Sequence, residues 1–190
     1  MYNPESRERG TEFEYDVFGQ VDIRNPAFKK AMAEAGADPR GYLKYRQAME
    51  LAKRFQPGDP QNPKKEFSRD LRIEVADLLG VPYESVAVFT AVKTPLDVFH
   101  GVDGFLTVKV GNQEFVVTMD ASLRDKEPDE VKADVLVNRL PDPNLQEDEY
   151  ITSVDQFSEI VAGLVGEQIE RAKRERGGRT HPAPEIRASE

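Results

Sequence analysis

Two aspartates, Asp103 and Asp120, sit on neighbouring strand-like runs, Val102–Val110 and Gln113–Ala121. Gly111-Asn112 between the runs is a two-residue hairpin signal. With those two residues at the turn, Val110 pairs with Gln113 and Lys109 meets Glu114, an opposite-charge pair that supports the register. Thr107 then faces Val116, Phe105 faces Thr118, and Asp103 faces Asp120. Directly opposed Cβ atoms lie about 4.5–5.5 Å apart, and like charges there are destabilising. The repulsion is relieved by a proton on one carboxyl, by splayed strands that admit water, or by a hard divalent cation such as Mg²⁺. Two solvated strand ends are the plain alternative.

A third carboxylate is within reach of the same chemistry. On a helical wheel Glu74 lies between Phe67 and Leu78, at the apolar stripe of the helix that carries them, and Glu66 lies on its polar side. Aimed at the sheet, Glu74 completes an acidic cluster; otherwise it is a surface residue whose stem lies along the stripe. Asp97 and His100 fall in the segment just before Asp103, where His100 reads as a loop residue more readily than as a ligand.

Composition narrows the remaining chemistry. The chain has 190 residues, no cysteine and two histidines, His100 and His181. Disulfides, cysteine–zinc sites, iron–sulfur clusters and thiol catalysis are excluded, and a multi-histidine metal site is disfavoured. The net charge of −9 argues against bulk electrostatic adhesion to nucleic acid, although a local basic surface is compatible with it. The sequence shows neither a secretory leader nor an apolar run of membrane-spanning length, so a cytoplasmic protein is expected.

The elements that must position these residues are legible in outline. Residues 1–24 read as a charged arm or short strand. Asn25-Pro26 starts a helix that Gly36 ends, and Asp38-Pro39 starts a second that runs to Phe55. Gln56–Pro63, with three prolines and a glycine, reads as a linker. Phe67, Leu71, Val75 and Leu78 mark a third helix, stopped at Gly80. Val86–Val92 is a strand, Thr94–Asp97 a turn or loop, and the hairpin follows. Lys132–Asn138 is a fourth strand and Pro141–Glu149 an acidic loop. Ser153 caps a long last helix, and residues 176–190 read as a flexible tail. The order is α-α-α-β-β-β-β-α, an α/β (α+β) fold, with an N-terminal extension over 1–62 and a core over 63–175.

A helix with Glu74 or Glu66, then a strand, then a hairpin bearing Gly101-Val-Asp103-Gly-Phe105 and Phe115-Val-Val-Thr-Met-Asp120-Ala-Ser122, resembles the PD-(D/E)XK superfamily of restriction-endonuclease-like nucleases. The resemblance covers about residues 63–140, or to 175 with the last helix, and leaves residues 1–60 unexplained. It implies a four-strand mixed sheet flanked by helices, and Mg²⁺ or Mn²⁺ held by Asp103, Asp120, the Ala121 carbonyl and Glu74. It also implies a catalytic lysine two residues after the second acid, where this chain has Ser122. Lys126 and Lys132 are the replacements, with Lys132 favoured at the start of the next strand. Lys64, Lys65, Arg171, Lys173 and Arg174 are candidate contacts to nucleic-acid phosphates; basic residues at a helix C-terminus also suit the helix dipole. The implied activity is metal-dependent hydrolysis of phosphodiesters, of DNA above all, in a small nuclease of the kind that fits a phage or mobile element. Two alternatives stay open: a non-catalytic module that keeps the fold and binds a protein partner, and a structural accessory protein that forms a homo-oligomer.

Overall fold

The computed structural model describes residues 4–177. Its helices are α1 (Pro4–Phe18), α2 (Pro26–Glu34), α3 (Tyr45–Arg54), α4 (Glu66–Leu79), α5 (Pro95–His100) and α6 (Glu147–Gly177). Its strands are β1 (Val86–Thr90), β2 (Gly104–Val110), β3 (Gln113–Ser122) and β4 (Val135–Asn138). The four strands form one mixed sheet in the order β1-β2-β3-β4, antiparallel except for the parallel β3–β4 pair.

Strand alternation divides the sheet into two apolar faces. Val86, Val88, Leu106, Val108, Val117 and Met119 point to one side, where Phe67, Leu71 and Val75 of α4 and Tyr150, Val154, Val161 and Val165 of α6 cover them. Phe89, Phe105 and Val116 point to the other, against Phe28 of α2, Met49 and Leu51 of α3, and Leu96 of α5. The result is three layers, with helices on both faces of the sheet. Val17 and Phe18 on one face and Val21, Phe28, Leu43, Met49 and Leu51 on the other are therefore part of the core, so the expected N-terminal extension is not a mere appendage to it. The expected linker is equally engaged: Gln56 Oε1 accepts from the Thr90 amide at 2.9 Å and the Pro60 carbonyl from the Val88 amide at 2.9 Å. Gln56–Pro63 thus covers the open edge of β1, where unpaired backbone groups would invite wrong partners.

The hairpin register is the one the turn requires, from Val110↔Gln113 through Lys109↔Glu114 and Phe105↔Thr118 to Gly104↔Met119. The Asn25 cap of α2 holds, its side chain accepting from the Ala27 amide. So does the left-handed Gly80 that ends α4. Four expectations fail. Residues 4–18 are a helix, not an arm or strand. Asp38-Pro39 makes a turn instead of starting a helix: Asp38 Oδ1 accepts from the Arg40 and Tyr42 amides, and α3 begins at Tyr45. Pro95–His100 is a short helix capped by Thr94, whose side chain accepts from the Leu96 amide. The last helix starts at Glu147, because the acidic run Glu147-Asp148-Glu149 suits the positive end of a helix dipole. Of the expected tail, Arg176 and Gly177 close α6, and residues 178–190 lie outside the described residues.

The placement of α1 turns on one close approach. A methyl group built on Gly104 would lie 2.6 Å from Cδ1 and 2.7 Å from Cε1 of Phe18. The Phe18 ring therefore rests directly on the first residue of β2. Ser68 Oγ donates to the Val17 carbonyl at 2.8 Å and Thr90 Oγ1 to the Gly19 carbonyl at 3.0 Å, fixing the same end of the helix to α4 and β1. Gly104→Ala is expected to destabilise the protein by about 1–3 kcal/mol through overpacking, a fall in Tm of roughly 2–12 °C. Gly163→Ala on the exposed face of α6, where an added methyl meets nothing within 4 Å, should leave Tm unchanged or raise it slightly. Thermal melts of the two variants make the comparison, and equal melting temperatures would remove the special role given to Gly104.

Candidate active site

Asp103 ends the hairpin just before β2 and is 4% exposed. Its amide donates to the Met119 carbonyl at 2.9 Å, and its carbonyl accepts from the Ala91 amide at 2.7 Å. Its carboxylate Oδ2 accepts from the Ala121 amide at 2.8 Å. The backbone on three sides thus holds the carboxyl group in one place.

Two further carboxyls meet it. Asp97 is the third residue of α5, and its Oδ2 reaches back to accept from the Lys93 amide at 2.7 Å. With the Thr94 hydroxyl accepting from Leu96 at 3.2 Å, this forms a variant of the capping box. Lys93 takes a left-handed conformation there, with φ of 72°, which is strained for a residue other than glycine. Glu14 comes from α1, one turn before Phe18, and its position follows from the seat of that ring on Gly104. One carboxylate oxygen each from Glu14, Asp97 and Asp103 lie within 4.8 Å of one another.

The electrostatic consequence is a set of carboxyls that resist ionisation. Burial, followed by the charge of Asp97, pushes Asp103 up to about 8, despite the Ala121 amide that favours its charged form. Burial, then Asp97 and Asp120, raises Glu14 to about 7. Asp97 is raised as well, chiefly by burial, although the Lys93 amide favours its charged form.

Asp120 is neutralised differently. Lys126 Nζ lies 2.8 Å from its Oδ1 and 2.5 Å from its Oδ2, with the lysine side chain only 18% exposed. The repulsion expected between Asp103 and Asp120 is thus relieved by a lysine on one and a protonated environment on the other. Around these groups opens a cleft of about 1070 Å³. Glu14, Asp97 and Lys126 line it, as do Arg9, Lys93 and Arg124.

Several sequence candidates fall elsewhere. Glu74 is on α4, in the electrostatic neighbourhood of Tyr83, and takes no part in the triad. Glu66 is in the first turn of α4, 3.7 Å from Arg69. Lys132 is exposed, its stem lying against Gly101 rather than reaching the acids. Ala121 contributes its amide to Asp103. Lys65 pairs with Asp16 at 3.4 Å and Lys173 with Glu170 at 2.7 Å. Neither they nor Lys64, Arg171 and Arg174 line the cleft. His100 Nε2 hydrogen-bonds the Leu43 carbonyl at 2.9 Å and is boxed by Tyr42 and Tyr45, a packing role. Glu14 was missed because α1 was missed: a helical reading of 4–18 puts Glu14 on the same face as Val17 and Phe18, the buried side of the helix.

The raised carboxyls set the sign of a pH effect. Their folded pKa values lie above the unfolded carboxyl value near 4, so the native state binds more protons between about pH 4 and pH 8. The stability they contribute is fully present below that window and is lost as pH rises through about 7 for Glu14 and about 8 for Asp103. Melts in chelator should therefore show Tm falling from pH 5 to pH 9, with Asp103→Asn flattening the slope. A wild-type profile that is level or rises across this range would contradict the buried, proton-holding triad.

Neither a protein-family model, nor a curated protein sequence, nor a solved structure matches this chain.

Proposed function

We propose that the protein is a divalent-metal-dependent phosphodiesterase acting on nucleic acid, a divergent nuclease of the PD-(D/E)XK type. The observation that carries the proposal is the pairing of charges at one cleft: Glu14 and Asp97 line it together with Arg9, Lys93, Arg124 and Lys126, and the buried Asp103 lies within 4.8 Å of both acids. A phosphodiester needs both, cations for its oxygens and a site for the metal that polarises it.

The donor set suits such an ion. Three carboxylates within 4.8 Å of one another offer hard oxygen ligands, which match Mg²⁺ or Mn²⁺ better than softer metals. Glu14, Asp97 and Asp103 would hold it. When bound, the ion supplies Lewis acidity, lowering the pKa of water and offsetting charge at phosphorus. The residues of the chain do the rest. The Ala121 amide and the Lys93 amide orient Asp103 and Asp97, each leaving carboxylate lone pairs for a ligand. Lys126 cancels the charge of Asp120 and places its ammonium at the cleft wall, as the displaced motif lysine requires. Arg124, 69% exposed and 3.5 Å from Glu130, can turn toward an incoming phosphate at little cost, since exposed pairs are weak.

Calorimetric titration of Mn²⁺ and Mg²⁺ is the test. Wild type should bind saturably. Asp103→Asn and Glu14→Gln should each weaken binding by more than the roughly 10–100-fold typical of losing an outer-shell partner, and should abolish metal-dependent cleavage of oligonucleotides. Glu74→Gln should bind and cleave as wild type does, which separates the triad from the alternative acid. Absence of saturable binding would refute the proposal. Binding without cleavage of DNA or RNA would favour the non-catalytic module instead.

A further inference from the structure

Glu14 reaches the other acids from α1, and the anchors of α1 are unevenly placed. The firm ones lie past Glu14. Val17 and Phe18 are buried, Ser68 Oγ holds the Val17 carbonyl, and Thr90 Oγ1 holds the Gly19 carbonyl. Between Arg9 and Asp16 no side chain is fully buried. Gly10 lies within this stretch and weakens the helix that contains it. A helix this short depends on tertiary contacts for its stability. Glu14 moreover meets Asp97 and Asp103, acids whose charges oppose its own. A contact on the cleft side must hold α1 against that push.

Lys93 is placed to make it. Its ammonium lies 4.5 Å from the centre of the ring of Tyr15, the residue next to Glu14. Its amide donates to Asp97 Oδ2 at 2.7 Å. One residue thus touches the neighbour of one acid with its side chain and a second acid with its backbone. The left-handed backbone, with φ of 72°, accompanies this double engagement. Glycine adopts that conformation without strain but has no side chain to offer. Lysine bears the strain and keeps an ammonium on the ring face, which attracts a cation.

We propose that Lys93 is a positioning residue that fixes Glu14 against Asp97: its ammonium clamps α1 through Tyr15 while its amide orients Asp97. This deepens the metal-site proposal and rests on it for the ion that the acids take up. The sign of the effect sets the clamp apart from plain electrostatics. By charge alone, a cation beside a metal site repels the ion, so its removal strengthens binding. As a clamp, its removal loosens Glu14 and weakens binding.

The test uses the full chain at one fixed pH. Mn²⁺ is titrated calorimetrically into wild type, Lys93→Met, Lys93→Arg, Tyr15→Leu, Tyr15→Phe and the double variant Lys93→Met/Tyr15→Leu. Lys93→Met and Tyr15→Leu should each weaken Mn²⁺ binding roughly 2- to 5-fold, the worth of one cation–π contact at an exposed site. The double variant should bind no more weakly than the weaker single one, because both substitutions break the same contact. Lys93→Arg keeps the cation and Tyr15→Phe keeps the ring, so both should bind as wild type does. A second readout needs no metal: in EDTA, amide hydrogen exchange over Thr11–Glu14 should quicken by a similar factor in Lys93→Met and in Tyr15→Leu. If wild type binds Mn²⁺, unchanged or tighter binding by Lys93→Met overturns the clamp and leaves the metal site standing. Losses that multiply in the double variant overturn it equally. If wild type does not bind Mn²⁺, the metal site falls and exchange decides the clamp: quickened exchange in Lys93→Met keeps it, and exchange as slow as in wild type overturns it.

Discussion

A carboxyl group kept almost wholly out of water is the constraint around which this molecule is arranged. Isolated, an ionised Asp103 at 4% exposure would cost far more than a folded domain can spare. The fold offsets part of this with the Ala121 amide, yet sets Asp97 beside it, whose charge opposes ionisation. It then adds Glu14 at the same point, which worsens the electrostatics unless a proton or a cation is present. Structural economy alone does not explain three acids converging where one would already be expensive. Strongly perturbed acids grouped in a cleft are the pattern of functional sites.

The convergence is built by backbone features that tolerate no ordinary residue or that hold strain. Gly104 lets the Phe18 ring sit on β2, and Glu14 follows from it by one helical turn. Lys93 holds a left-handed conformation so that its amide can meet Asp97. Gly101 ends α5 in the same left-handed region and turns the chain into Asp103. Each acid of the triad is thus placed by a local backbone choice in a different element, and all three choices must hold together. A cluster of this kind is a tertiary property and has no signature in linear spacing.

That accounts for what the sequence could and could not disclose. The hairpin was legible because a two-residue turn leaves one register, and the pairing through Gly104↔Met119 follows from it. The α4 helix was legible because Phe67, Leu71 and Val75 repeat at helical spacing and Gly80 stops them. The α1 helix was opaque: its stability comes from Val17 and Phe18 packed against distant strands, not from a stripe of its own. The α5 helix was opaque for its length, six residues held by the Thr94 cap, too few for a period to show. Asp103 could be named from the sequence; Glu14 could not, and Asp97 only as a neighbour. The parallel pairing of β4 with β3 is likewise set by a tertiary clamp, Asp134 accepting from both the amide and the hydroxyl of Thr118.

The proposed nuclease resemblance expects a lysine two residues after Asp120, and the local chain gives a physical reason for a different residue there. Ser122 stands there instead, and its Oγ accepts from the Arg124 amide at 3.2 Å. A lysine could not accept that bond, so the serine gains the power to turn the chain. Asp125 then ties the turn to the end of β4, taking a hydrogen bond from Asn138 at 3.2 Å and pairing with Arg139. With the loop held at both ends, Lys126 points back along β3 and lands on Asp120. Lys132 cannot do this, because it lies on the far side of the loop with its stem along Gly101. What the loop delivers is a cation against Asp120. Which residue supplies it depends on where the backbone turns, and here a hydroxyl and an aspartate decide that.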